Sequence, residues 1–466
     1  MPAKPVKVQK VLAQALERVK PSLQELESER EKAHELIEKI MSIPLGQVRA
    51  AFVGSAERNT HLRGDKDIDL FVLFPESMPE EVLEKNGLKI GLSLAKGHEH
   101  RVMHASHPYV EAVIDGFDVE IVPAFDVRHA SLLKSAVDRT PFHAEYVKKN
   151  LEKWQCDEVR LLKSFLKGLG LYGAEISVKG FSGYLCELLV LKHSTFLGVL
   201  EAASKWAFGE KIDLESHSSK EFANPLIVID PVDRNRNVAA PVSSGALAKF
   251  IHYSRLFLKK PSIKFFEKHK PKPKPLSLVK KAFKERGIFL VVKTAFPEVV
   301  EDVALSQLQA AKERLYTMLE FHEFKMHRTD VLWNPDNAYL LFELEVARLP
   351  GVALRQGPKV ADLENSEKFV AKAIEANSRA WIDHGHWFSE KKRRFTDARD
   401  LMENALRDIR KGETSFVSHV AKAFKKKSEL LDNAKVIREY SKDKHFALGF
   451  SEYLFKRERW LEEREI

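Results

Sequence analysis

The chain has 466 residues, 44% of them hydrophobic, and 76 Lys and Arg against 67 Asp and Glu give a formal net charge of +9. This length predicts three or four domains at roughly 150 residues each, and the composition excludes a disordered or collagen-like protein. Two cysteines are too few for a disulfide framework or a four-cysteine zinc site, and the apolar runs are too short to span a membrane. We expect a soluble, cytoplasmic protein with no membrane partner, whose mild positive charge permits nucleic acid as a partner.

Residues 8–43 are predicted to form helices. Apolar residues recur there at helical spacing, and Pro21 divides the stretch in two. Ser22 and Glu25 follow this proline at the spacing of a capping box, in which each side chain bonds the backbone of the other at the start of a helix. We therefore expect one or two amphipathic helices, with Pro21 between the two sets of apolar residues.

Strands follow these helices. Residues 48–53 and 67–74 are apolar enough to predict buried or half-buried strands. A helix is predicted over 79–86, with Gly87 as its stop signal. Together with the strands further along, these segments predict a small α/β domain built on a mixed sheet.

A hairpin is predicted after this helix. Residues 110–114 and 117–123 have the character of strands, and Asp115-Gly116 lies between them. This dipeptide is typical of a type I′ turn, because both central residues of that turn need positive φ angles. The two strands are therefore expected to be antiparallel neighbours.

The middle of the chain is mostly helical in pattern, from residue 145 to about 262. Helices are predicted there over 181–197 and 246–258. The next segment, 259–284, contains ten lysines and several closely spaced prolines. This composition predicts an extended, linker-like stretch.

The last part of the chain mixes strands and helices. A strand is predicted over 288–293, a helix over 305–322 and a second strand over 338–346. This order indicates an α+β region. The final helices are expected to be highly charged, with basic clusters at 391–394 and 425–427.

The strongest chemical motif lies between the first two strands. Gly54-Ser55 ends the first strand, and Asp67 and Asp69 open the second. Alternate residues of a strand share one face, so the two carboxylates are expected to project together. Such a pair repels itself unless a cation such as Mg²⁺ bridges it, while the Gly-Ser backbone and Arg58 could hold phosphates.

A third acid is usual for two-metal phosphoryl transfer. Asp118 and Glu120 alternate on the later strand 117–123, so either could supply it. Each part of the pattern has a plainer explanation, because two aspartates at a strand edge and a Gly-Ser turn before a helix are common. Their conjunction in this order is what points to catalysis.

This conjunction resembles the signature of the polymerase-beta nucleotidyltransferase superfamily. Further segments of the chain follow in this order: RNTHLRGDKDIDLFV, HPYVEAVIDGFDVEIVPAF, SAVDRTPFH, EVRLLKSFLKGLGLYGAE, VKGFSGYLCELLV and IDPVDRNRNVAA. Together they resemble the archaeal-type (class I) CCA-adding enzymes, the tRNA nucleotidyltransferases. The resemblance is dense over residues 54–263 and looser afterwards.

The resemblance implies a role for individual residues. Asp67, Asp69 and Glu120 would be the catalytic metal ligands of a two-metal Mg²⁺ site, although the family usually has Asp in place of Glu120, which leaves Asp118 as the fallback. The residues that would contact the nucleotide are Gly54, Ser55, Arg58, His107, Thr140, Lys163, Tyr172 and Arg236, the last with Asp230 beside it.

Several of these residues have structural alternatives. Lys163 could be solvated on a basic helix face with Arg160 and Lys167, and His107 could be structural. Tyr172 could be a packing aromatic at a helix end. Arg236 could instead pair with Asp230 or Asp233 to hold a loop. Cys156 and Cys186 are interpreted as structural.

By resemblance the protein adds C, C and A to the 3′ end of tRNA from CTP and ATP, with pyrophosphate as the leaving group. The tRNA would be held by its acceptor stem and T-arm. The candidate basic residues are Lys270, Lys272, Lys274, Lys391, Lys392, Arg393 and Arg394, with a further basic run at 422–427. The resemblance also implies a homodimer.

The implied architecture is multidomain, α/β and α+β. A catalytic head would span residues 1–142 and a helical neck, which recognises the base, residues 143–262. A body would combine 263–315 with 395–466, and a tail would span 316–394, both binding tRNA. Two alternatives stay open: a poly(A) polymerase or oligoadenylate synthetase-like enzyme, and a tRNA-binding relative without catalysis.

Overall fold

A computed structural model describes residues 6–44, 48–104, 106–413 and 418–460. These residues form two compact units, of which the first extends to His269 and the second begins at Lys270. Over the described residues, no helix combines the length and the apolar character that a membrane crossing requires.

The first unit begins with two helices, so the structure decides between the one or two predicted for this stretch, and a mixture of strands and helices follows. The predicted capping box opens the second helix, where the Ser22 side chain accepts a hydrogen bond from the Glu25 amide and the Glu25 carboxylate accepts one from the Ser22 amide. In chain order the elements are α1 (Val6–Val19), α2 (Leu23–Met41), β1 (Arg49–Val53), α3 (Gly54–Glu57), β2 (Asp67–Pro75), α4 (Glu80–Leu94), β3 (Glu99–His104), β4 (Pro108–Ile114), β5 (Phe117–Asp126), α5 (Arg139–Asn150), α6 (Gln155–Leu169), α7 (Gly183–His193), α8 (Phe196–Ala203), β6 (Glu210–Ile212), β7 (Leu226–Asp230), β8 (Asp233–Asn237) and α9 (Ser244–Lys259).

A mixed sheet in the order β1-β2-β5-β4-β3 organises the first part of this unit. β2 and β5 run parallel, and the other neighbouring strands are antiparallel. Along β2, Ile68, Leu70 and Val72 are fully buried in a core shared with α2 and α4. Since side chains alternate along a strand, Asp67 and Asp69 lie on the other face of the sheet.

The hairpin predicted around Asp115-Gly116 is confirmed. β4 and β5 pair antiparallel, with Ile114 opposite Phe117. The φ angles of Asp115 and Gly116 are 52° and 82°, as a type I′ turn requires.

The predicted end of α4 at Gly87 is wrong, because the helix continues to Leu94. A Cβ atom on Gly87 would lie 2.5 Å from the Cβ of Pro123, and one on Gly91 would lie 2.6 Å from Val110. Glycine at these two positions lets α4 lie directly on β4 and β5. Gly87 is therefore a position of close contact between helix and sheet rather than a stop signal.

The single helix predicted over 181–197 is also wrong. α7 ends at His193, Ser194 has a φ of 66°, and α8 begins at Phe196. The Thr195 side chain accepts a hydrogen bond from the Gly198 amide and caps α8. The helix predicted over 246–258 is confirmed as α9.

The second unit has the predicted α+β character, and the strands and helix predicted at 288–293, 305–322 and 338–346 are present. In chain order the elements are α10 (Leu276–Arg286), β9 (Ile288–Ala295), α11 (Glu301–Phe321), β10 (Met326–Trp333), β11 (Asn337–Leu344), β12 (Val352–Lys359), α12 (Leu363–Glu375), β13 (Ala380–Asp383), β14 (His386–Lys392), α13 (Ala398–Lys411), α14 (Ser418–Lys426), β15 (Ser428–Leu431), α15 (Asn433–Lys442) and α16 (Lys444–Leu454). The sheets of this unit have the strand orders β10-β11-β9-β15 and β12-β14-β13.

Two sequence interpretations of this region need correction. The segment 259–284 is not extended throughout, because prolines prevent a helix only as far as Pro275 and α10 begins at the next residue. The basic cluster 391–394 lies at the end of β14 and just beyond it rather than on a helix.

β10 and β11 fall inside the predicted tail, yet they pair with β9 and β15 of the predicted body.

Candidate active site

The connection from β1 to α3 brings the backbone close to a carboxylate. Gly54 follows β1 with a φ of +85°, and a Cβ atom there would lie 1.7 Å from Oδ2 of Asp69. Any other residue would collide with this carboxylate, so glycine is required at this position. The residues that follow β1 form only the single helical turn of α3.

The predicted acids lie side by side on the parallel strands β2 and β5. Asp67 is opposite Asp118, and Asp69 is opposite Glu120. Opposite residues project from the same face of a sheet. The two predicted alternatives for the third acid therefore share a face with the pair on β2, but each lies next to a different aspartate.

Burial and mutual repulsion raise the pKa values of these acids. For Asp69, burial and then the charge of Asp67 raise the pKa to about 6, against a smaller lowering by Arg58. For Glu120, burial and then the charges of Asp69 and Glu111 raise the pKa to about 7. Burial and the charges of Asp65 and Asp118 likewise raise the pKa of Asp67, against smaller opposing effects of Lys167 and His61.

These acids fit a divalent cation. Among the described residues, no hydrogen-bond donor reaches the carboxylates of Asp67, Asp69 or Glu120, and their raised pKa values show that their negative charges are poorly compensated. Carboxylate oxygens are the ligands that hard cations prefer. A cation bound here would satisfy all three groups.

We expect the cation-free protein to lose stability relative to D69N as the pH rises from about 4 to about 7. Because folding raises the pKa of Asp69 to about 6, the folded protein holds this proton more tightly than the unfolded chain does. The resulting contribution to stability is complete below the pKa of the unfolded chain and is lost as the pH rises through about 6. Asparagine carries no such cost, so D69N should gain about 3 kcal/mol on the wild type. Thermal unfolding with a chelator, at several pH values, measures this difference.

Addition of a divalent cation at pH 8 provides the control for this experiment. The cation should raise the melting temperature of the wild type more than that of D69N, because only the wild type keeps the full set of ligands. Parallel pH profiles for the two proteins would show that Asp69 is not under electrostatic stress in the fold.

The row of charges continues across the sheet beyond Glu120. Glu111 on β4 lies opposite Glu120, and Arg101 on β3 lies opposite Glu111. Glu111 accepts hydrogen bonds from Arg101 Nε at 2.6 Å and from the Tyr109 hydroxyl at 3.1 Å. A cleft of about 370 Å³ opens along these strands, with Arg101, Glu111 and Glu120 among its lining residues.

Arg58 and Lys163 meet around a fully buried glutamate that the sequence analysis missed. Glu187 Oε1 accepts hydrogen bonds from Arg58 Nε at 3.1 Å and from Thr60 Oγ1 at 2.5 Å. Lys163 Nζ donates to the Thr60 carbonyl at 3.0 Å. Burial alone would raise the pKa of Glu187, but the charges of Arg58 and Lys163 outweigh it and keep the pKa below its ordinary value.

The solvated basic face considered for α6 is wrong, because Arg160 and Lys163 are each only 1% exposed. Arg160 donates to the His61 carbonyl and to Asn59, and Lys167 pairs with Asp65. The cations of this helix face therefore hold the loop between α3 and β2. This loop carries Arg58 at one end and leads to Asp67, the first residue of β2, at the other.

Tyr172 lies near the same cluster. A Cβ atom on Gly183 would lie 3.1 Å from the Tyr172 hydroxyl and 3.5 Å from Lys163 Nζ. The start of α7 therefore brings together two of the residues predicted to contact the triphosphate. Burial raises the pKa of the Tyr172 hydroxyl, so this group stays protonated.

A second buried acid, Asp230 at the end of β7, contacts the first turn of α7. Its carboxylate accepts hydrogen bonds from Arg236 Nη1 at 2.7 Å and from the Tyr184 hydroxyl at 3.3 Å. His143 Nε2 lies 2.8 Å from the same carboxylate. The rings of His143 and Tyr184 stack with their centroids 4.0 Å apart. Arg236 thus makes the ion pair considered as its structural alternative, while its side chain stays 37% exposed.

The remaining predicted contacts are less closely grouped. Thr140 is the second residue of α5, the helix that also carries His143. His107 is buried, with Nδ1 3.4 Å from Oε1 of Glu84 on α4 and its ring 5.9 Å from that of Phe125. Since α4 covers the apolar face of the sheet, His107 contacts an element on that face, whereas Asp69 lies on the opposite face.

The most informative residue missed by the sequence analysis is Glu187. It is the only acid in the otherwise apolar segment 181–191, and a lone charge in a buried helix needs a partner. His143 and Tyr184 were also missed. Their spacing in the sequence carries no comparable signal, because their shared partner Asp230 is 87 and 46 residues away.

Comparison with known families places three matches along the chain. Residues 34–143 match the nucleotidyltransferase domain, and residues 157–267 match the tRNA nucleotidyltransferase, second domain. Residues 286–433 match the CCA-adding enzyme, C-terminal domain.

Individual proteins were also compared with this chain. The CCA-adding enzyme of Methanocaldococcus jannaschii is 40% identical over 383 residues, which cover 78% of this chain and 84% of that protein. The CCA-adding enzyme of Methanosarcina acetivorans is 37% identical over 438 residues, which cover 91% and 94%. A solved structure of the Cid1 poly(U) polymerase is 18% identical with a TM-score of 0.45, covering 57% of this chain and 99% of that chain.

Proposed function

The chain belongs to the CCA-adding enzyme family, and we propose which of its residues carry the reaction. It is a tRNA nucleotidyltransferase that adds C, C and A to the 3′ end of tRNA. The observation that carries the assignment of the site is the set of carboxylates on β2 and β5 next to Gly54.

Asp67, Asp69 and Glu120 are the proposed ligands of Mg²⁺ in a two-metal site. When bound, the ions supply charge neutralisation at the α-phosphate and a lowered pKa of the attacking 3′-hydroxyl. Glu120 has a longer side chain than aspartate, and its place opposite Asp69 supports it over Asp118 as the third ligand.

The backbone of Gly54 and Ser55, with Arg58, Lys163 and Tyr172, is the proposed binding site of the nucleotide triphosphate. Glu187 is ionised and buried, and it holds Arg58 in one orientation before the nucleotide arrives. Such pre-organisation matters because phosphoryl transfer depends mainly on positioning and charge neutralisation. Thr140 and His107 remain further candidates for nucleotide contacts.

Arg236 is the proposed reader of the base. Asp230 holds one of its N–H groups, and the exposed part of the guanidinium leaves other N–H groups free to donate. Cytosine O2 and N3 and adenine N1 are acceptors that a guanidinium can reach. The ion pair with Asp230 therefore supports an oriented reading group rather than a loop fastener alone.

We expect R236A to blur the choice between CTP and ATP by about 10-fold. The loss follows because the remaining pocket no longer pairs donors with the acceptors of the correct base. The ratio of kcat/KM for CTP and ATP on tRNA ending before the first C measures it. R234A is the matched control on the same strand, since Arg234 is exposed, and tRNA affinity should change little in either variant. An unchanged nucleotide ratio in R236A would contradict the assignment.

Incubation with tRNA that lacks its CCA end tests the function itself. The expected product carries two C residues from CTP and then one A from ATP, and its sequence identifies it. A long A tail on this substrate or on oligo(A) would instead indicate a poly(A) polymerase, and no incorporation would indicate a relative without catalysis.

The domain layout and setting follow as proposals from the same family. A head at 1–142, a neck at 143–262, a tRNA-binding body at 263–315 and 395–466 and a tRNA-binding tail at 316–394 are the proposed domains. The pairing of β10 and β11 with β9 and β15 favours counting these two strands with the body. Contact with the acceptor stem and T-arm, a homodimer and a cytoplasmic location are proposed as well.

A further inference from the structure

The second unit carries an aromatic ladder at the end of α11, formed by Phe321, His322 and Phe395. Phe321 is the last residue of the helix and is 80% exposed. The rings of Phe321 and His322 meet edge to face with centroids 5.4 Å apart, and those of His322 and Phe395 meet at 5.3 Å. The ladder therefore presents an apolar ring to solvent at the end of α11.

Cations border this ladder. The Arg394 guanidinium lies 5.2 Å from the centroid of the Phe395 ring. Lys391, Lys392 and Arg394 are exposed, and among the described residues none of the three forms an ion pair. Burial lowers the pKa of His322, and the charges of Arg394 and Lys391 lower it further, against a smaller raising by Glu323, so both cations are close enough to influence this ring.

Arg393 in the same basic cluster has a different role. It pairs with Glu323, which follows the ladder in sequence, and donates to the Val352 carbonyl at 2.7 Å. These bonds tie the end of β14 to the end of α11. The cluster therefore divides into one arginine that fixes the surface and three cations that remain available.

We propose that this surface binds an unpaired nucleotide of the tRNA, with its base on the Phe321 ring and neighbouring phosphates on Lys391 and Arg394. The proposal rests on tRNA being the substrate. Base-paired RNA hides the faces of its bases, so a protruding aromatic ring suits a base that is not stacked in a helix. The cations lie at the other end of the ladder, where Arg394 borders the Phe395 ring, and they supply the contacts with the backbone that accompany stacking.

Binding of a fluorescently labelled tRNA transcript without its CCA end tests the proposal. We expect F321A to weaken Kd about 10-fold, through loss of stacking, with no change in melting temperature because the side chain is 80% exposed. F321W should retain the affinity. F208A is the matched control, since Phe208 is 61% exposed in the first unit, and its Kd should be unchanged.

The salt dependence of Kd separates stacking from charge. R394A should reduce the slope of log K against log salt by about 1, whereas F321A should leave the slope unchanged. Normal tRNA binding by F321A, or a change in its association state without a change in tRNA affinity, would overturn the proposal. Because the wild type is assayed for CMP incorporation in parallel, failure of this inference is distinguishable from failure of the proposed function.

Discussion

D69N lowers the rate of CMP incorporation into tRNA lacking its CCA end by about 10³-fold or more. Asp69 lies beside Gly54 on one side and Glu120 on the other, so it is the central carboxylate of the site. Removing its charge costs several kcal/mol of stabilisation in the transition state, and each 1.4 kcal/mol, roughly, is a factor of ten in rate. Single-turnover incorporation of labelled CMP measures the change.

E120Q and D118N show which acid completes the site. Glu120 faces Asp69, and Asp118 faces Asp67 nearer the start of β5. We expect E120Q to lose about 100-fold or more in rate and D118N to lose less than about 10-fold, with an unchanged Mg²⁺ requirement. The reverse order would assign the role to Asp118, and full activity of D69N would contradict the metal site altogether.

E187Q should reduce the free energy of unfolding by about 3–5 kcal/mol, because Arg58 and Lys163 would remain buried without their counter-charge. The same change should raise KM for CTP, since Arg58 loses the bond that orients it. Thermal or denaturant unfolding measures the first effect and steady-state kinetics the second.

E201Q is the matched control for this variant. Glu201 is exposed on the neighbouring helix α8, so its replacement should change stability by less than about 0.5 kcal/mol. If E187Q matched E201Q in both stability and KM, the buried glutamate would have no part in holding Arg58.

Together the two sets of variants separate the functions of the two acidic groups. Asp69 and Glu120 have raised pKa values because burial and the charges of neighbouring acids outweigh the smaller opposing effects of Arg58 and Arg101. Glu187 has a lowered pKa because two cations and a hydroxyl surround it. The first arrangement suits a ligand that arrives from solution, and the second suits a permanent support.

Local signals were sufficient for much of the fold and for the acids of the site. The capping box at Ser22, the turn at Asp115-Gly116 and the shared face of Asp67 and Asp69 depend only on neighbours within a few residues. Backbone geometry and side-chain alternation act at that range. They could therefore be predicted before any long-range contact was known.

Only the tertiary structure decided the surroundings of these residues. Gly87 is a packing position rather than a stop signal because Pro123 lies against it, and Lys163 is buried because Thr60, 103 residues away, accepts its hydrogen bond. Glu187 likewise finds its partners 127 and 129 residues away. The sequence by itself determined which groups can do chemistry, whereas burial, and with it charge state and partner, depends on segments that only folding brings together.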